Sequence, residues 1–291
     1  MSWVGVDIGG TKIQAVRCDD DLRVLDHRRA ESPPGAILGT ALALTAELVP
    51  GARGIGIGAA GVIDPATGAV TTASEVFVGW EGTQLADVFA RELELPVVVD
   101  NDVNAFLHGE AMVGAARGFR HAFGIMVGTG IGGALISDGV LLRGASGGAG
   151  EIGHTPGFGN EPCTCGARGH LESVASGLSI SRRYGGTVGA VEVARRARAG
   201  DKTARRVFDE AGAALGQAVA VVATVLDSQI AVLGGGVLGA WDLLERECRA
   251  TVRASVLATN AGLEIGRARL GAHAVAVGAA AFAKVSAAQS V

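Results

Sequence analysis

Apolar residues recur at every second position near the start of the chain. In Trp3–Ile8 these positions hold valine or isoleucine, a glycine turn follows at Gly9–Thr11, and a second apolar run covers Ile13–Cys18. A period of two predicts β-strands, and two such runs joined by glycines predict a hairpin. We expect Leu22–Ala30 to add a third strand.

The same order of pattern returns about 120 residues later. His121–Val127 is an apolar run, Gly128–Gly133 is rich in glycine, and Ala134–Ser137 reads as the return strand. Strand, glycine turn and strand therefore occur twice, which indicates an internal duplication. The chain is expected to contain two related α/β halves, each opening with a glycine-rich hairpin.

The remaining stretches predict helices and buried strands. The predicted helices are Ala36–Leu48, Thr83–Leu95, Asp102–Val113, Gly189–Arg198, Thr203–Leu226, Trp241–Leu257 and Val277–Val285. The predicted strands between them are Gly54–Ala60, Pro96–Val99 and Gln229–Leu233. The continuous β-branched run in Pro96–Val99 is typical of a strand covered on both faces.

Composition narrows the class of protein. Glycine makes up 46 of the 291 residues, which indicates many tight turns and close backbone approaches. The 25 basic and 29 acidic residues nearly balance, and this argues against binding of nucleic acid by bulk electrostatics. No leader pattern, no apolar stretch of membrane length and only four cysteines lead us to expect a cytoplasmic protein.

The first glycine turn is a candidate phosphate site. Gly9 and Gly10 can present bare backbone N–H groups, while Thr11 adds a hydroxyl and Lys12 a cation. Asp7 would repel phosphate, so we expect it to hold Mg²⁺ or the water shell of that ion. No Ser or Thr follows the lysine, so this is not a Walker A loop. An ordinary hairpin is the alternative.

The second glycine turn formally satisfies the dinucleotide-binding pattern G-x-G-x-x-G. The pattern spans Gly128–Gly133, with its glycines at Gly128, Gly130 and Gly133 and with Thr129 and Gly132 at variable positions. A Rossmann site needs a helix directly after the glycines, whereas the sequence here predicts a strand. We therefore favour a second phosphate-binding hairpin over the dinucleotide alternative.

A polar cluster, Asp100–Asn104, follows the buried strand. It is not an EF-hand loop, because Ala105 and Ala111 stand where glycine and glutamate are required. In open α/β sheets, ligands bind where strands end. We interpret Asp102 as a general base and Asn101 as a hydrogen-bond partner of the substrate; a helix cap is the alternative.

Two histidines and two cysteines form the most specific constellation, namely His154, Cys163, Cys165 and His170. Two thiolates and two imidazoles satisfy a closed tetrahedral Zn²⁺ site, and a closed site implies a structural role. Free thiols and surface histidines are the alternative. Glu151 and Glu172 flank this group and could direct oxygens toward a polyol.

Together these residues resemble the ROK family of bacterial sugar kinases and related repressors. The matching stretches are Asp7–Lys12, Gly58–Gly61, Asp100–Asn104, Gly128–Gly133, Gly150–His154, Cys163–Glu172 and Gly234–Gly236. The resemblance implies an actin/hexokinase-like (ribonuclease H-like) duplicated fold, with two α/β domains and ATP in the cleft. It also implies phosphorylation of a hexose or N-acylhexosamine at the 6-hydroxyl.

The resemblance assigns roles by position. Asp102 is the base, and the sugar contacts are Gly61, Asn101, Asp102, Glu151, His154 and Glu172. ATP would be held by Asp7, Gly9, Gly10, Thr11, Lys12, Gly128, Thr129, Gly130, Gly132, Gly235 and Gly236. The family further implies Mg²⁺, structural Zn²⁺ and a homodimer.

The expected domains are 1–118 plus 279–291, and 119–278 with its zinc-binding segment 154–170. Three departures from the family pattern stand out. His170 replaces a third cysteine, Gly58–Gly61 lacks the usual proline, and Val76-Phe77 replaces Asn-Leu in the sugar loop.

A glucokinase-type enzyme is the first functional hypothesis, and N-acetylmannosamine kinase is the second. The phosphoryl donor, ATP or polyphosphate, stays open. A sugar-sensing repressor is the alternative from another class. We expect no helix-turn-helix, since only six residues precede Asp7.

Overall fold

The computed structural model describes residues 1–73 and 79–289, and its internal contacts divide the chain into two units. Unit 1 comprises Met1–Gly118, Leu141–Ala149 and Ala268–Val291. Unit 2 comprises Phe119–Val140 and Gly150–Arg267. The predicted sugar-loop departure at Val76-Phe77 lies outside the described residues.

The division by contacts differs from the predicted one in two places. Both 141–149 and 268–278 pack with unit 1, although the predicted boundaries assigned them to the second domain. The reason at the C-terminal end is the last helix, which begins at Ala274 rather than Val277. Its backbone at Ala276 already lies against the first strand of unit 1 at Gly5.

Strands and helices alternate along most of the chain. The strands are β1 (Ser2–Ile8), β2 (Lys12–Asp19), β3 (Val24–Glu31), β4 (Ala52–Ala59), β5 (Val62–Ile63), β6 (Val70–Thr72), β7 (Val97–Asn101), β8 (Ala122–Val127), β9 (Ile131–Ser137), β10 (Val140–Leu142), β11 (Ile230–Gly234) and β12 (Glu264–Arg267). The helices are α1 (Ile37–Ala46), α2 (Leu85–Leu93), α3 (Asp102–Val113), α4 (Glu172–Ala175), α5 (Gly177–Tyr184), α6 (Ala190–Arg198), α7 (Lys202–Leu226), α8 (Trp241–Ser255) and α9 (Ala274–Gln289).

The two five-stranded sheets have the same strand order. The first runs β3-β2-β1-β4-β7 and the second β10-β9-β8-β11-β12. In each, an antiparallel hairpin (β1 with β2, β8 with β9) lies beside two parallel strands. Both predicted hairpins and the duplication are therefore confirmed. The sequence missed the short elements β5, β6, β10, β12, α4 and α5.

Local sequence explains where the helices of the two units begin. Asn101 caps α3, and Asp201 caps α7 by accepting hydrogen bonds from the N–H groups of Thr203 and Ala204. Ser176 caps α5 in the same way. Thirteen of the 25 residues of α7 are buried, so this helix forms much of the core of unit 2.

Several glycines allow backbones to approach more closely than any side chain would permit. A Cβ atom at Gly5 would lie 1.8 Å from the Ala276 carbonyl oxygen of α9, and one at Gly56 would lie 1.7 Å from that of Ala279. On the other side of α9, a Cβ at Gly278 would lie 1.7 Å from the carbonyl oxygen of Ala105 in α3. Helix α9 therefore packs between the sheet and α3 through backbone contacts.

In unit 2, glycines allow the same close backbone approach between helices α7 and α8. Cβ atoms at Gly212 and Gly216, one turn apart on α7, would lie 2.5 and 2.4 Å from the carbonyl oxygens of Leu244 and Cys248 in α8. Some of the glycines thus serve packing interfaces in addition to the many that serve turns.

Two helical stretches are long and apolar enough to cross a membrane, Lys202–Leu226 and Gly271–Gln289. In each, 56% of the most apolar window is buried inside the protein. Core helices of soluble proteins meet the same criteria, so these stretches are weak support for a membrane span.

Replacement of Gly278 by alanine should destabilise the fold. The added methyl group would overlap the Ala105 carbonyl oxygen, and overpacking of this kind costs about 1–3 kcal/mol of unfolding free energy. Gly39 is the matched control, since it lies in α1 and a Cβ atom there would have nothing within 4 Å. Gly39→Ala should stabilise the protein by up to about 1 kcal/mol. Urea denaturation measures both, and equal effects would contradict the packing argument.

Candidate active site and candidate metal centre

The first glycine turn, in unit 1, is held at its edges and open at its centre. The Gly9 N–H donates to the Lys12 carbonyl oxygen at 3.1 Å, and the Ser32 hydroxyl donates to the Gly9 carbonyl oxygen at 2.5 Å. Among the described residues, nothing accepts from the N–H groups of Gly10 and Thr11. These two donors are available to a ligand.

An ion pair between a buried carboxylate and a partly exposed lysine lies at the base of this turn. Asp7 is 5% exposed, and its carboxylate lies 3.3 Å from the Lys12 ammonium. Burial raises the pKa of Asp7, and the nearby Lys12 charge opposes that shift. The structure thus gives Lys12 a carboxylate partner within the protein, in addition to the phosphate contact predicted for it.

The end of β7 and the start of α3 bring Asn101 and Asp102 together. Asn101 is the N-cap of α3, and its side-chain oxygen accepts from the N–H groups of Val103 at 2.8 Å and Asn104 at 3.2 Å. Its amide nitrogen donates to the Gly61 carbonyl oxygen at 2.9 Å. Asn101 therefore caps the helix, as the sequence had indicated for this cluster, and it also holds the Gly61 loop, a role that the sequence did not reveal.

Gly61 has a conformation that only glycine adopts without strain. Its φ is +103°, and a Cβ atom there would lie 2.4 Å from the Thr72 carbonyl oxygen. The backbone of this predicted sugar-binding residue is thus fixed from two sides, by the Asn101 amide and by β6.

Asp102 is the first residue of α3 and is partly buried. One carboxylate oxygen accepts from the Val103 N–H at 2.9 Å. Since Asn101 already occupies the cap position, the helix does not depend on Asp102 for its cap. The positive end of the helix dipole stabilises a carboxylate at this place.

A third acidic residue, Asp100, organises the segment before α3. It is 5% exposed, and its oxygens accept from the Arg143 guanidinium at 2.7 Å, the Asn104 amide at 2.8 Å and the Asn101 N–H at 2.8 Å. Arg143 lies 43 residues away along the chain. No local pattern could have indicated this pair, which fixes the backbone immediately before Asp102.

Aromatic rings cover this ion pair. The Arg143 guanidinium lies 5.8 Å from the ring centroid of Phe282, and the same ring stacks on His108 with centroids 4.4 Å apart. Burial lowers the pKa of His108 to about 4, and the Arg143 charge adds to the effect. His108 is therefore neutral at physiological pH, and Asp100 is the partner of Arg143.

The second glycine turn, in unit 2, is followed directly by strand β9. The dinucleotide alternative is therefore wrong, because a strand stands at this place where a Rossmann site requires a helix. The Gly128 N–H donates to the Gly130 carbonyl oxygen at 2.9 Å, while Gly177 donates to the Gly128 carbonyl oxygen at 2.8 Å. Within the described part of the chain, nothing accepts from the N–H groups of Thr129 and Gly130.

Unusual backbone angles do not explain the glycines at the start of the two turns. Gly9, Gly10, Gly128 and Gly130 all lie outside the set of glycines with positive φ. Space is the constraint at Gly130, where a Cβ atom would lie 2.4 Å from the Glu172 carboxylate.

Gly235 brings a further loop to the second turn. Its φ is +90°, and a Cβ atom there would lie 2.4 Å from the Val127 carbonyl oxygen at the end of β8. Gly236 begins the short 3-10 helix that follows. The two residues predicted from Gly234–Gly236 thus lie next to the strand that leads into the second glycine turn.

Glu172 is nearly buried, and both its oxygens are engaged. One accepts from the Ile131 N–H at 2.8 Å, and the other accepts from the Thr164 hydroxyl at 2.5 Å. Glu151 is exposed as a residue. Its carboxyl group is nevertheless partly desolvated by the surrounding protein, and this desolvation raises its pKa. The charges of His154 and Glu172 act on it in opposite directions.

The four predicted metal ligands converge in unit 2. Their donor atoms all lie within 4.8 Å of one another. The Cys163 sulfur lies 3.6 Å from His154 Nδ1, and the Cys165 sulfur lies 3.3 Å from His170 Nδ1. Two sulfurs and two imidazole nitrogens at this spacing are a donor set that Zn²⁺ favours.

Comparisons with known proteins identify the family of this chain. The sequence pattern of the ROK family matches residues 3–286. A solved ROK family glucokinase from Streptomyces griseus, in complex with glucose and AMPPNP, has a TM-score of 0.88 and 31% identity, covering 98% of this chain and 100% of that one. The chain belongs to the ROK family, and the predicted actin/hexokinase-like fold is confirmed.

Curated relatives include kinases with different named sugars. A glucokinase of Halalkalibacterium halodurans is 34% identical, over 95% of this chain and 93% of that protein. An N-acetylmannosamine kinase of Citrobacter koseri is 33% identical, over 81% of this chain and 84% of that protein.

Replacement of Asn101 should destabilise unit 1. Asn101→Ala removes the cap of α3 and leaves the Gly61 carbonyl without its donor, so we expect a loss of about 1–3 kcal/mol in unfolding free energy. Asn101→Ser keeps a cap acceptor and should lose less. Urea denaturation measures both variants. Wild-type stability of Asn101→Ala would contradict the two roles assigned to this side chain.

Proposed function

We propose that the protein is an ATP-dependent sugar kinase of the glucokinase type, which transfers the γ-phosphoryl group to the 6-hydroxyl of a hexose. The observation that carries this proposal is the position of Asp102 at the start of α3, with its backbone fixed by the Asp100–Arg143 pair. Support comes from the glucokinase of H. halodurans and from the S. griseus structure, which holds glucose and AMPPNP.

The two glycine turns are proposed to bind the phosphates of ATP. Each has two backbone N–H groups with no acceptor among the described residues, at Gly10 and Thr11 in unit 1 and at Thr129 and Gly130 in unit 2. Such donors bind phosphate oxygens without sequence-specific side chains. The other proposed nucleotide contacts are Gly9, Lys12, Gly128, Gly132, Gly235 and Gly236.

Asp7 is proposed to hold Mg²⁺ through its buried carboxylate. A carboxylate beside a phosphate turn suits this hard cation, and the ion when bound would offset the charge of the phosphates. The Lys12 ammonium already lies beside the Asp7 carboxylate. With ATP bound, Lys12 would therefore lie between this carboxylate and the phosphates.

The residues proposed to contact the sugar, by the family resemblance, are Gly61, Asn101, Asp102, Glu151, His154 and Glu172. In Asn101 the side-chain oxygen is used by the cap, and one amide hydrogen is used by Gly61. Its second amide hydrogen is the group that can reach a hydroxyl.

Asp102 is proposed as the base. A carboxylate is too weak a base to deprotonate a sugar hydroxyl in advance, so it would orient the 6-hydroxyl and take the proton as the oxygen bonds to phosphorus. This timing suits a loose phosphoryl-transfer transition state, which needs orientation of the nucleophile more than prior deprotonation.

Asp102→Asn should lower kcat by at least ~10², because the amide keeps the shape but cannot take the proton. Sugar affinity should change much less. The matched control is Asp87→Asn, since Asp87 is an exposed acid in the first turn of α2. That variant should keep the parent kcat. A folded Asp102→Asn protein with kcat within a few-fold of the parent would show that Asp102 is not the base.

N-acetylmannosamine or another N-acylhexosamine is the second candidate substrate, favoured by the relative in C. koseri. Assays of ADP release with glucose, mannose, N-acetylglucosamine and N-acetylmannosamine, each with ATP and Mg²⁺, decide between the candidates. Absence of turnover with all four sugars would overturn the proposed activity and favour a sugar-sensing regulator. Polyphosphate in place of ATP tests the donor.

A structural Zn²⁺ ion is proposed at His154, Cys163, Cys165 and His170, whose donor atoms fit it. When bound, the ion would hold the segment 154–170 in one conformation. His170 stands where the family usually has a third cysteine, and its ring nitrogen lies among the other donors. Histidine is a competent zinc ligand, so the replacement is compatible with the site.

Freshly purified protein should contain about one Zn²⁺ per chain, as expected for a closed four-ligand site. Cys163→Ser should lower the zinc content and the thermal stability. Cys248→Ser is the control, because Cys248 is buried in α8 and lies outside the cluster. Elemental analysis measures the metal, and its absence from the parent protein would overturn the site.

The family resemblance also leads us to propose a homodimer in the cytoplasm that binds no nucleic acid. Light scattering tests the oligomeric state, and a monomeric mass would remove that part of the proposal.

A further inference from the structure

The second glycine turn depends on one short segment, Glu172–Leu178, for most of its supporting hydrogen bonds. The N–H groups of Gly177 and Leu178 donate to the carbonyl oxygens of Gly128 and Thr129, at 2.8 and 3.3 Å. The Glu172 carboxylate accepts from the Ile131 N–H on the other side of the turn, at 2.8 Å. The turn is therefore held from both ends by this segment.

The Glu172 carboxylate also lies under the centre of the turn. A Cβ atom at Gly130 would lie 2.4 Å from the Glu172 oxygen that accepts from Ile131. Glycine at this position therefore makes room for a carboxylate of the protein itself. The bond to Ile131 is buried, so loss of the acceptor would leave a buried N–H group without a partner.

The second oxygen of Glu172 connects the turn to the segment between the two cysteines. It accepts from the hydroxyl of Thr164, which lies between Cys163 and Cys165 in the sequence. The backbone adds a further link, since the Leu171 N–H donates to the Thr155 carbonyl oxygen at 3.2 Å. One side chain thus joins the cysteine segment to the glycine turn.

We propose that Glu172 is a positioning residue for the nucleotide, which holds the Gly128–Gly133 turn in its phosphate-binding shape and relays the conformation of the cysteine segment to it. This inference rests on the proposed function, which gives the turn its phosphate role. It goes beyond the sugar contact proposed for Glu172, because it predicts an effect on nucleotide affinity when no sugar is present.

The test is binding of a non-hydrolysable ATP analogue with Mg²⁺, measured by calorimetry without sugar. Glu172→Ala should weaken binding about tenfold, because without its acceptor the turn leaves the phosphate-binding shape in the free protein and must be reordered when the analogue binds. Glu172→Gln keeps an acceptor for Ile131 and should stay within about threefold of the parent. Affinity of Glu172→Ala equal to that of the parent would overturn the inference.

Two further variants keep the test decisive if Glu172→Ala does not fold. Thr164→Val leaves Glu172 in place but removes one of its partners, so analogue binding should weaken by a smaller factor, about twofold to fivefold. Ser181→Ala is the control, since this hydroxyl of α5 donates to the Val188 carbonyl oxygen and does not contact the turn. Equal affinities of Thr164→Val and Ser181→Ala for the ATP analogue would show that the cysteine segment does not influence the turn through Glu172.

Amide hydrogen exchange provides a readout that a sugar-contact role would not change. The Ile131 N–H should exchange faster in Glu172→Ala than in the parent and Glu172→Gln proteins. Failure of the inference and failure of the proposed function are distinguishable. If the parent protein binds no ATP analogue and phosphorylates no hexose, the proposed function is wrong; if it does both and Glu172→Ala binds normally, only the inference is wrong.

Discussion

The fold of unit 1 depends on a few glycines at which the backbones of neighbouring elements approach each other more closely than any side chain would allow. Helix α9 lies so near strands β1 and β4 that carbonyl oxygens of the helix occupy the space of absent Cβ atoms at Gly5 and Gly56. Helix α3 approaches α9 in the same way at Gly278. Since α3 begins at Asp102, the position of the proposed base follows from this packing. No larger side chain at these positions is compatible with the dense interior of unit 1.

Local patterns in the sequence were sufficient to predict the hairpins, α3 and the group of two histidines and two cysteines. The alternation of apolar residues and the glycine turns that predict a hairpin can be recognised within a stretch of about ten residues. Three of the four predicted ligands likewise lie within eight residues of one another, in Cys163–His170. The recurrence of strand, glycine turn and strand about 120 residues later indicated the duplicated plan, and the matching strand orders of the two sheets confirm it. These are properties that short-range periodicity can encode.

Long-range pairs could not be predicted in this way. Asp100 meets Arg143, and Glu172 meets Ile131, across separations of 43 and 41 residues. Arg143 belongs to a stretch with no distinctive pattern of its own, and the bond between Ile131 and Glu172 joins two motifs that lie apart in the sequence. The bond between Asn101 and Gly61 could not be predicted for the same reason, because it joins two motifs that are separate in the sequence. The sequence therefore indicated the proposed functional residues more readily than it indicated the residues whose hydrogen bonds and ion pairs fix their positions, such as Arg143.

The two glycine turns also show how duplicated elements diverge. Each presents two backbone N–H groups, and each follows the first strand of an equivalent sheet. The turn in unit 1 is supported by the Ser32 hydroxyl and lies over the Asp7–Lys12 ion pair. The turn in unit 2 is supported by a single carboxylate and by the start of α5, within the unit that carries the cysteine segment. A charged pair suits a turn for which both phosphate and cation contacts are proposed, whereas a buried carboxylate that accepts from the Ile131 N–H fixes the backbone of the other turn. Similar sequence patterns therefore reach the same donor geometry through different supports.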